Sequence, residues 1–414
     1  MSLLKLSGGY TVYGIIISSI PFLFIPVITQ LLSPEQLGKF ALYQTGFMLL
    51  IPFIGLEFYR SYEVLYFKCD NSIETSKLVS MVLSITIITC AFAVILGIVG
   101  AFLNHDIEPY LLITLPFIVA FNNTYNLLLT YYKNTKNLRL YFYFEMLKNL
   151  LNYSTVILLV AVLYFDWEAF FYGLFFSNLV VFLIAVKIIR KKYNIILFSM
   201  DSVLIEKMKK ISVPFIFFIL GGVLVETGDR LLVEYLLSTE AVGILLVGVT
   251  LASGVRVVGN SLTKAFSPTI YEALNDKSNS VNYLLKYIIL YISLLAVFTL
   301  IYSSVVGMIY PYIVDEKYLQ SLEIMRWMSY AFFLRGCKQL ALIFLTQLEK
   351  TFVLNYDIVI ALVTNIGLSY FLIQEYGLNG AAIGSFFSFF VTTFLYIFFM
   401  RNEISVYFNN LNWK

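Results

Sequence analysis

The sequence predicts an all-α polytopic membrane protein with 12 transmembrane helices, arranged as two parallel six-helix bundles. Three observations predict this fold: an extremely apolar composition, twelve long apolar runs and a short word that recurs once per half. Sixty per cent of the 414 residues are hydrophobic and 13% are charged, whereas about a quarter are charged in typical globular domains. A soluble core could not bury so much apolar surface, so the chain is predicted to lie in a lipid bilayer.

Each apolar run is long enough to cross the hydrocarbon core as a helix, which takes about 17–25 residues. The runs are continuous and do not alternate between apolar and polar residues, so helices are favoured over barrel strands. The predicted spans are 8–32, 40–59, 78–103, 110–132, 149–165, 169–189, 211–237, 242–267, 283–310, 322–347, 352–373 and 380–400.

The distribution of Lys and Arg predicts the orientation of these spans. If the amino terminus is inside, 21 of the 28 basic residues fall in inside segments, and only Lys39 and Lys317 fall outside. Basic residues accumulate on the cytoplasmic side of membrane proteins. Both termini are therefore predicted to be cytoplasmic (N-in and C-in), in an uncleaved, multi-pass protein.

A repeated word supports a division into two halves. "LLSPEQLGKF" at Leu31–Phe40 follows the first span, and "LLSTEAVGIL" at Leu236–Leu245 follows the seventh. Ser33 and Ser238 are predicted to cap the helices that follow, with an acidic residue in each first turn. The word is therefore interpreted as a hairpin device that is used once per half.

A second pair of similar segments lies at Gly173–Ser177 and Gly384–Ser388. Its members are separated by nearly the same number of residues as the two copies of the word. Parallel repeats imply a pseudo-twofold axis along the membrane normal, with a binding site between the halves. The predicted domains are an N-terminal bundle at 1–190, a cytoplasmic amphipathic linker at 191–210 and a C-terminal bundle at 211–414. The linker has an apolar centre and basic flanks, which suits an interfacial helix on anionic lipid or an ordinary basic loop.

Three stretches resemble one family. They are "ISVPFIFFILGGVLVETGDRLLVEYLLSTEAVGILLVGVT" at 211–250, "AFSPTIYEAL" at 265–274 and "YGLNGAAIGSFFS" at 376–388. They are similar to Wzx-type polysaccharide (O-antigen) flippases of the multidrug/oligosaccharidyl-lipid/polysaccharide (MOP) exporter superfamily, whose architecture is MATE-like. The most specific part is Asp229-Arg230 followed by the Ser-x-Glu turn.

The resemblance implies a flippase that moves an undecaprenyl-pyrophosphate-linked oligosaccharide to the periplasmic leaflet of a bacterial inner membrane. It implies no enzymatic activity, no cofactor and no nucleic-acid partner, although coupling to a proton or sodium gradient is an option. Membrane lipids are expected partners. The sequence leaves open whether a polysaccharide polymerase and a chain-length regulator also bind.

Cations inside the eighth and tenth spans are the candidates for the pyrophosphate. They are Arg256 and Lys264, which share a helix face with Asn260, and Arg335 and Lys338, which lie beside Gln339. Arginine suits bidentate phosphate contacts and lysine supplies a flexible point charge. In the alternative interpretation, these cations pair with acids such as Asp357 or Glu226 and only hold helices together.

Other polar residues inside spans have two interpretations each. Glu226, Arg230 and Glu234 follow each other at i, i+4 with Asp229 beside them, and this charge ladder favours structural pairing or gating and ion coupling about equally. Asp357 is a further candidate for gating or ion coupling. Glu57 and Arg60 are predicted to form a cytoplasmic latch. Asn122 and Asn126, with Asn260 and Gln339, are candidates for the glycan, or for polar packing between helices.

Two other functions have distinct sequence requirements. A MATE-like cation-coupled multidrug exporter would favour an acidic or aromatic cavity, whereas the eighth and tenth spans carry cations. A membrane-embedded polysaccharide polymerase or ligase would need a sizeable outside loop, and the longest predicted one is about Pro311–Ser321. The sequence shows no Walker loop, metal cluster or Ser-His-Asp constellation, so no catalytic residue or metal ligand is predicted.

Overall fold

The computed structural model describes residues 3–69, 71–103, 109–198, 201–275, 281–347 and 353–410. Within these ranges the chain folds into helices joined by short connections. The α-helices are α1 (Leu3–Leu31), α2 (Pro34–Leu50), α3 (Phe58–Leu65), α4 (Ser72–Leu103), α5 (Pro109–Asn134), α6 (Leu138–Ala161), α7 (Glu168–Lys192), α8 (Ser202–Leu236), α9 (Thr239–Asn275), α10 (Val281–Ile313), α11 (Ser321–Gln347), α12 (Val353–Tyr376) and α13 (Leu378–Asn410).

Each predicted span overlaps one of these helices, and the second span is divided between α2 and α3. Among the described residues, eight helices are long and apolar enough to cross a membrane, and the bent pair of α2 and α3 would be a ninth. The all-helical, multi-pass membrane architecture is therefore confirmed. The number of twelve spans and the N-in, C-in orientation stay predictions.

The break between α2 and α3 has an unusual backbone. Gly55, Leu56 and Glu57 all have positive φ, at 76°, 49° and 56°, a region that side chains other than glycine rarely adopt. The break is held from other helices, because Gly55 N–H donates to Thr89 Oγ1 at 2.8 Å and the Asn123 amide donates to the Ile54 carbonyl. The helices are therefore bent by 44° at a fixed point.

The chain divides into two compact units. Unit 1 comprises Met1–Leu42 and Val225–Lys414, and unit 2 comprises Tyr43–Leu224. The sequence-based division into two bundles stays a prediction. Within residues 191–210, predicted as a linker, the last residues of α7 are followed by the non-helical residues 193–198, and α8 begins at Ser202.

Unit 2 has a continuous apolar core. Phe58, Tyr62, Tyr125, Leu128 and Met208 are buried there, on α3, α5 and α8. The start of α8 is fixed to this core, because Ser61 Oγ donates to the Met208 carbonyl at 2.8 Å. α8 begins at Ser202, and the Asp201 carboxylate accepts from two backbone N–H groups of its first turn.

In unit 1 the two copies of the repeated word meet. A Cβ placed on Gly38 would overlap the Thr239 carbonyl oxygen, and a Cβ on Gly243 would overlap that of Pro34. Thr239 and Pro34 are the first residues of α9 and α2. The word is thus more than the hairpin device that the sequence suggests, because its glycine lets the starts of α2 and α9 touch.

The predicted helix caps in the two words are confirmed. Ser33 and Gln36 form a reciprocal capping box, with Gln36 N–H donating to Ser33 Oγ at 3.2 Å and Ser33 N–H donating to Gln36 Oε1 at 2.8 Å. Ser238 Oγ accepts from Ala241 N–H at 3.2 Å. Both words therefore start the next helix with a serine cap, and only the first adds the reciprocal bond.

The connection from α10 to α11 docks on the end of α1. Tyr318 is fully buried and its hydroxyl donates to the Leu32 carbonyl at 2.9 Å. Burial and the neighbouring Asp315 carboxylate raise the pKa of Tyr318, so this hydroxyl stays a hydrogen-bond donor at neutral pH.

Candidate functional site: paired charges on α8, α9 and α11

Two arginine side chains of unit 1 approach the carboxylate of Glu226 on α8. The Glu226 carboxylate lies 2.5 Å from Nη1 of Arg335 on α11 and 3.4 Å from Nη1 of Arg256 on α9. We call these three residues the Glu226 triad. Two guanidinium groups share one carboxylate, so the triad carries a net charge of +1.

The triad is open to its surroundings. The side chains of Glu226, Arg256 and Arg335 are 39%, 34% and 25% exposed. The guanidinium of Arg256 also lies 5.3 Å from the ring centre of Phe332, a cation–π distance that fixes its orientation. An anion that reaches this surface would meet donors that are already positioned.

Lys338 and Asp357 form a different kind of charged group. The Lys338 ammonium lies 2.9 and 3.1 Å from the two carboxylate oxygens of Asp357 on α12. The two side chains are only 10% and 12% exposed. The rings of Phe389 and Tyr396 lie 5.8 Å from the ammonium. This pair is balanced in charge and enclosed by apolar groups.

A polar strip extends from the triad along α9 and α11. The Gln339 amide donates to Asn260 Oδ1 at 2.7 Å, and Thr263 Oγ1 donates to Gln339 Oε1 at 3.0 Å. Asn260 is exposed, as is Lys264 on the same helix. The structure thus brings together four sequence-predicted residues of the eighth and tenth spans: Arg256, Arg335, Asn260 and Gln339.

Asp229 is buried one turn from Glu226 and has hydroxyl partners. Ser369 Oγ on α12 donates to Asp229 Oδ1 at 2.9 Å, and Ser385 Oγ on α13 donates to Oδ2. The Asn365 amide donates to Ser385 Oγ at 3.1 Å. Asp229 is thus a buried carboxylate that side chains of two other helices hold in place.

The charge ladder expected along α8 is arranged differently. Glu226 pairs with Arg256 and Arg335 on other helices, while Arg230 donates to the Ala41 carbonyl at 3.2 Å. Glu234 accepts from the Thr239 hydroxyl at 2.8 Å. Tertiary neighbours therefore compete with the helical i, i+4 pairs.

In unit 2, Glu57 and Arg60 form the predicted ion pair, with a distance of 2.6 Å. Glu57 is fully buried, and its backbone carbonyl accepts from Ser212 Oγ on α8 at 3.1 Å. The pair therefore stabilises the strained break between α2 and α3. Its role as a latch stays a prediction.

Sequence analysis missed Lys148. That residue was assigned to a cytoplasmic segment, but it lies inside α6, where its ammonium donates to Asn122 Oδ1 at 2.6 Å. It also lies 5.0 Å from the ring centre of Tyr125, whose hydroxyl donates to Glu145 at 3.5 Å. Asn126, the other predicted glycan residue of α5, is half-buried.

The signal that locates Lys148 was present in the sequence. Asn137 caps α6, since its side chain accepts from Leu140 N–H, and Asn is a preferred N-cap residue. A helix that starts there includes Glu145 and Lys148, three residues apart on one face. The apolar-run criterion excluded them because it placed the start of the span at 149.

The described helices form a multi-pass fold with paired charges inside its helices, and ionisable residues inside a membrane mark candidate functional sites. The family described as "Polysaccharide biosynthesis protein" matches residues 3–274. The chain belongs to this family. A comparison with curated protein sequences finds no match.

Solved structures of MOP superfamily transporters have the same fold. An inward-facing multidrug resistance MATE family transporter of that superfamily matches with a TM-score of 0.73 and 13% identity, over 99% of this chain and 96% of that chain. The lipid II flippase MurJ, in an inward closed conformation, matches with a TM-score of 0.71 and 14% identity, over 97% and 88%.

A MOP superfamily transporter from Pyrococcus furiosus, described by the reverse polarity of its binding pocket, matches with a TM-score of 0.64 and 13% identity, over 97% and 96%. The resemblance to the MOP superfamily is therefore confirmed. At these identities the likeness establishes the fold alone.

Proposed function

We propose that this protein is a flippase for an undecaprenyl-pyrophosphate-linked oligosaccharide, such as an O-antigen repeat unit. It moves this lipid from the cytoplasmic to the periplasmic leaflet of a bacterial inner membrane by alternating access. The observation that carries the proposal is the Glu226 triad, in which two guanidinium groups share one carboxylate. Membership of a polysaccharide biosynthesis family supports it.

The triad suits the pyrophosphate of such a cargo. A charge inside the bilayer costs about 2.5–3.5 kcal/mol on the mildest scale, so a spare cation needs compensation. Arg256 and Arg335 are partly exposed, so a phosphate reaches them without displacing a buried group. Guanidinium groups bind phosphate oxygens bidentately. Lys264, exposed two turns from Arg256, adds a point charge nearby.

Lys338, also predicted as a phosphate ligand, is better assigned to helix packing. Its charge is balanced by Asp357 in an almost closed environment. Such a pair stabilises the contact between α11 and α12 and leaves the phosphate to Arg256 and Arg335.

The glycan is assigned to the amides beside the triad. Asn260 and Gln339 already bond each other, and exposed amides exchange such bonds for sugar hydroxyls at little cost. Asn122 and Asn126 are the corresponding candidates in unit 2. Both are proposed to bind the glycan, and the Asn122 side chain also accepts a hydrogen bond from Lys148.

Asp229 is the proposed site of coupling to a proton or sodium gradient. Its carboxylate is buried among hydroxyl groups of α12 and α13, where oxygen ligands surround it. Arg230 and the Glu57–Arg60 pair are proposed to act in gating, because Arg230 donates to the Ala41 carbonyl and the Glu57–Arg60 pair lies at the break between α2 and α3.

The test removes the two guanidinium groups in a strain that lacks the chromosomal gene. We expect Arg256→Ala and Arg335→Ala to leave the protein at normal membrane levels but to lower surface polysaccharide about tenfold or more, since each charge-assisted contact contributes about 1.5–3 kcal/mol. Lipid-linked oligosaccharide should accumulate on the cytoplasmic side. Arg256→Lys should restore part of the export, because it keeps the charge but loses the fork.

The matched control is Arg326→Ala, which removes an exposed arginine from the same helix as Arg335. It should export normally. Normal export by an abundant Arg256→Ala, Arg335→Ala double variant would rule out the phosphate site. Loss of resistance to organic cations, with polysaccharide unchanged, would point to the multidrug exporter.

A further inference from the structure

Unit 2 contains an apolar cavity that the proposed transport does not use. Its volume is about 540 Å³, within the range of about 300–1,000 Å³ typical of small-molecule sites. It lies between α4, α5 and α7. Side chains such as Val94, Phe121 and Phe182 line it.

The few hydroxyl groups in the cavity wall are satisfied by their own helices. Thr86 Oγ1 donates to the Val82 carbonyl at 2.8 Å, and Thr124 Oγ1 donates to the Ala120 carbonyl at 3.0 Å. A cavity with such a wall does not hold ordered water, because water needs two or more polar partners. The wall suits a hydrocarbon chain.

The mouth of the cavity is also apolar. Ile87, Ile95 and Phe117 line the cavity and are exposed on the surface of α4 and α5. In membrane-spanning helices, exposed apolar side chains face the hydrocarbon of the bilayer. A chain that enters the cavity therefore comes from the lipid.

One end of the cavity carries a cation. Arg190 lines it and is exposed near the end of α7. Beyond it, residues 193–198 run along α4, where Ile196 N–H donates to Ser80 Oγ at 3.1 Å and Phe198 N–H donates to Ser84 Oγ at 2.9 Å. This segment closes the end of the cavity next to Arg190.

A second, polar cavity lies on the other side of this segment. Ile195 and Leu197 line the apolar cavity, whereas Asn194 and Ile196 line a cavity of about 560 Å³. Lys192 also lines this second cavity.

Lys77 lies in the same polar wall, as does Asp201, whose carboxylate is engaged by the N–H groups of Val203 and Leu204. Two cations thus lie on the polar side of the segment and Arg190 lies on its apolar side, and the carboxylate of Asp201 has partners.

We propose that unit 2 binds one anionic glycerophospholipid, with an acyl chain in the apolar cavity and its phosphate at Arg190, at the end of that cavity. The adjoining apolar and basic regions match the two parts of such a lipid. The choice of an anionic headgroup follows from the charge, because each Lys or Arg near a membrane surface attracts anionic lipid by about 1 kcal/mol. The proposal is independent of the transported cargo.

Cys90 provides a reporter, because it lines the cavity and is buried. Cys69→Ser and Cys337→Ser leave it as the only thiol of the chain. In detergent, dioleoylphosphatidylglycerol should slow the alkylation of Cys90 by N-ethylmaleimide at about fivefold lower concentration than dioleoylphosphatidylcholine, the factor that about 1 kcal/mol gives.

Two variants separate the headgroup from the chain. Arg190→Gln should remove the preference for phosphatidylglycerol, whereas Lys187→Gln, which removes an exposed lysine of the same helix, should keep it. Ala120→Leu, which fills the cavity, should lower the amount of either lipid retained in native mass spectrometry.

Three results would overturn the proposal. Equal protection by the two phospholipids would exclude the headgroup site. Unchanged lipid retention in Ala120→Leu would exclude the cavity. Protection by undecaprenyl phosphate at a lower concentration than phosphatidylglycerol would assign the cavity to the isoprenoid carrier. None of these assays measures export, so their outcome is distinct from that of the proposed function.

Discussion

The Glu226 triad and the Lys338–Asp357 pair lie on the same helix, α11, but they differ in balance and exposure. The triad joins two cations to one acid, with side chains that are 25–39% exposed. The pair joins one cation to one acid, and both side chains are almost buried. Arg335 and Lys338 are only three residues apart, so the sequence does not distinguish their roles.

Pairing alone therefore does not decide whether an intramembrane cation is structural. A balanced, enclosed pair has no capacity left for a ligand, and breaking it leaves an uncompensated buried charge. An unbalanced, open group retains one charge for an anion. The two groups should therefore respond to mutation in opposite ways.

The largest effect on stability is expected for Asp357→Asn. This variant leaves Lys338 as an unpaired buried charge, at a cost of about 3–5 kcal/mol, and should sharply lower both the membrane level and the thermal stability of the protein. The Lys338→Met, Asp357→Leu double variant should recover both, together with polysaccharide export. Immunoblots of membranes and unfolding in detergent measure these quantities. A stable, abundant single variant would contradict the assignment of this pair to helix packing.

An intermediate effect is expected for Glu226→Gln, which raises the charge of the triad from +1 to +2. The anionic cargo should be held more tightly and released more slowly, so export should slow several-fold while the protein level changes little. The matched control is Glu234→Gln on the same helix, where the acid accepts only from a hydroxyl among the contacts described above. Faster export by Glu226→Gln would show that the carboxylate, and not the spare cation, limits cargo binding.

The smallest effect is expected for Lys264→Gln. Lys264 is exposed and lies two turns from Arg256, so it adds an electrostatic contribution without a fixed contact. Export should fall by less than about twofold, in line with the weak contribution of exposed charges. Lys264→Gln combined with Arg256→Lys should export less than either single variant. If export falls as much as in Arg256→Ala, the phosphate site lies closer to Lys264 on α9 than proposed.

Much of the fold follows from the sequence because apolar length and helix caps are local properties. The caps at Ser33 and Ser238 and the shared face of Arg256 and Asn260 were predictable on that basis. The acids Glu226 and Asp357 were also named as alternative partners of the cations. Which cation each acid binds was not predictable, because α8, α9, α11 and α12 meet only in the folded chain.

Local sequence patterns did not predict two features of the structure. Lys148 was missed because a criterion based on apolar runs truncates a helix that begins with polar residues, as α6 does. The contact of Gly38 and Gly243 with the opposite word was missed because each glycine has an unremarkable place in its own helix. The role of each glycine depends on a residue about 200 positions away in the sequence.

The contact between the two repeated words has a consequence for how the chain evolves. Gly38 meets the first residue of α9, and Gly243 meets the first residue of α2, so the same patch lies on both sides of the contact. That is the property of an isologous interface, the type that joins identical subunits about a twofold axis. A half of this chain paired with its own copy would make the same contact twice. A larger side chain at the glycine of either word would clash with the other word. Each word therefore restricts which residues the other can accept at this position.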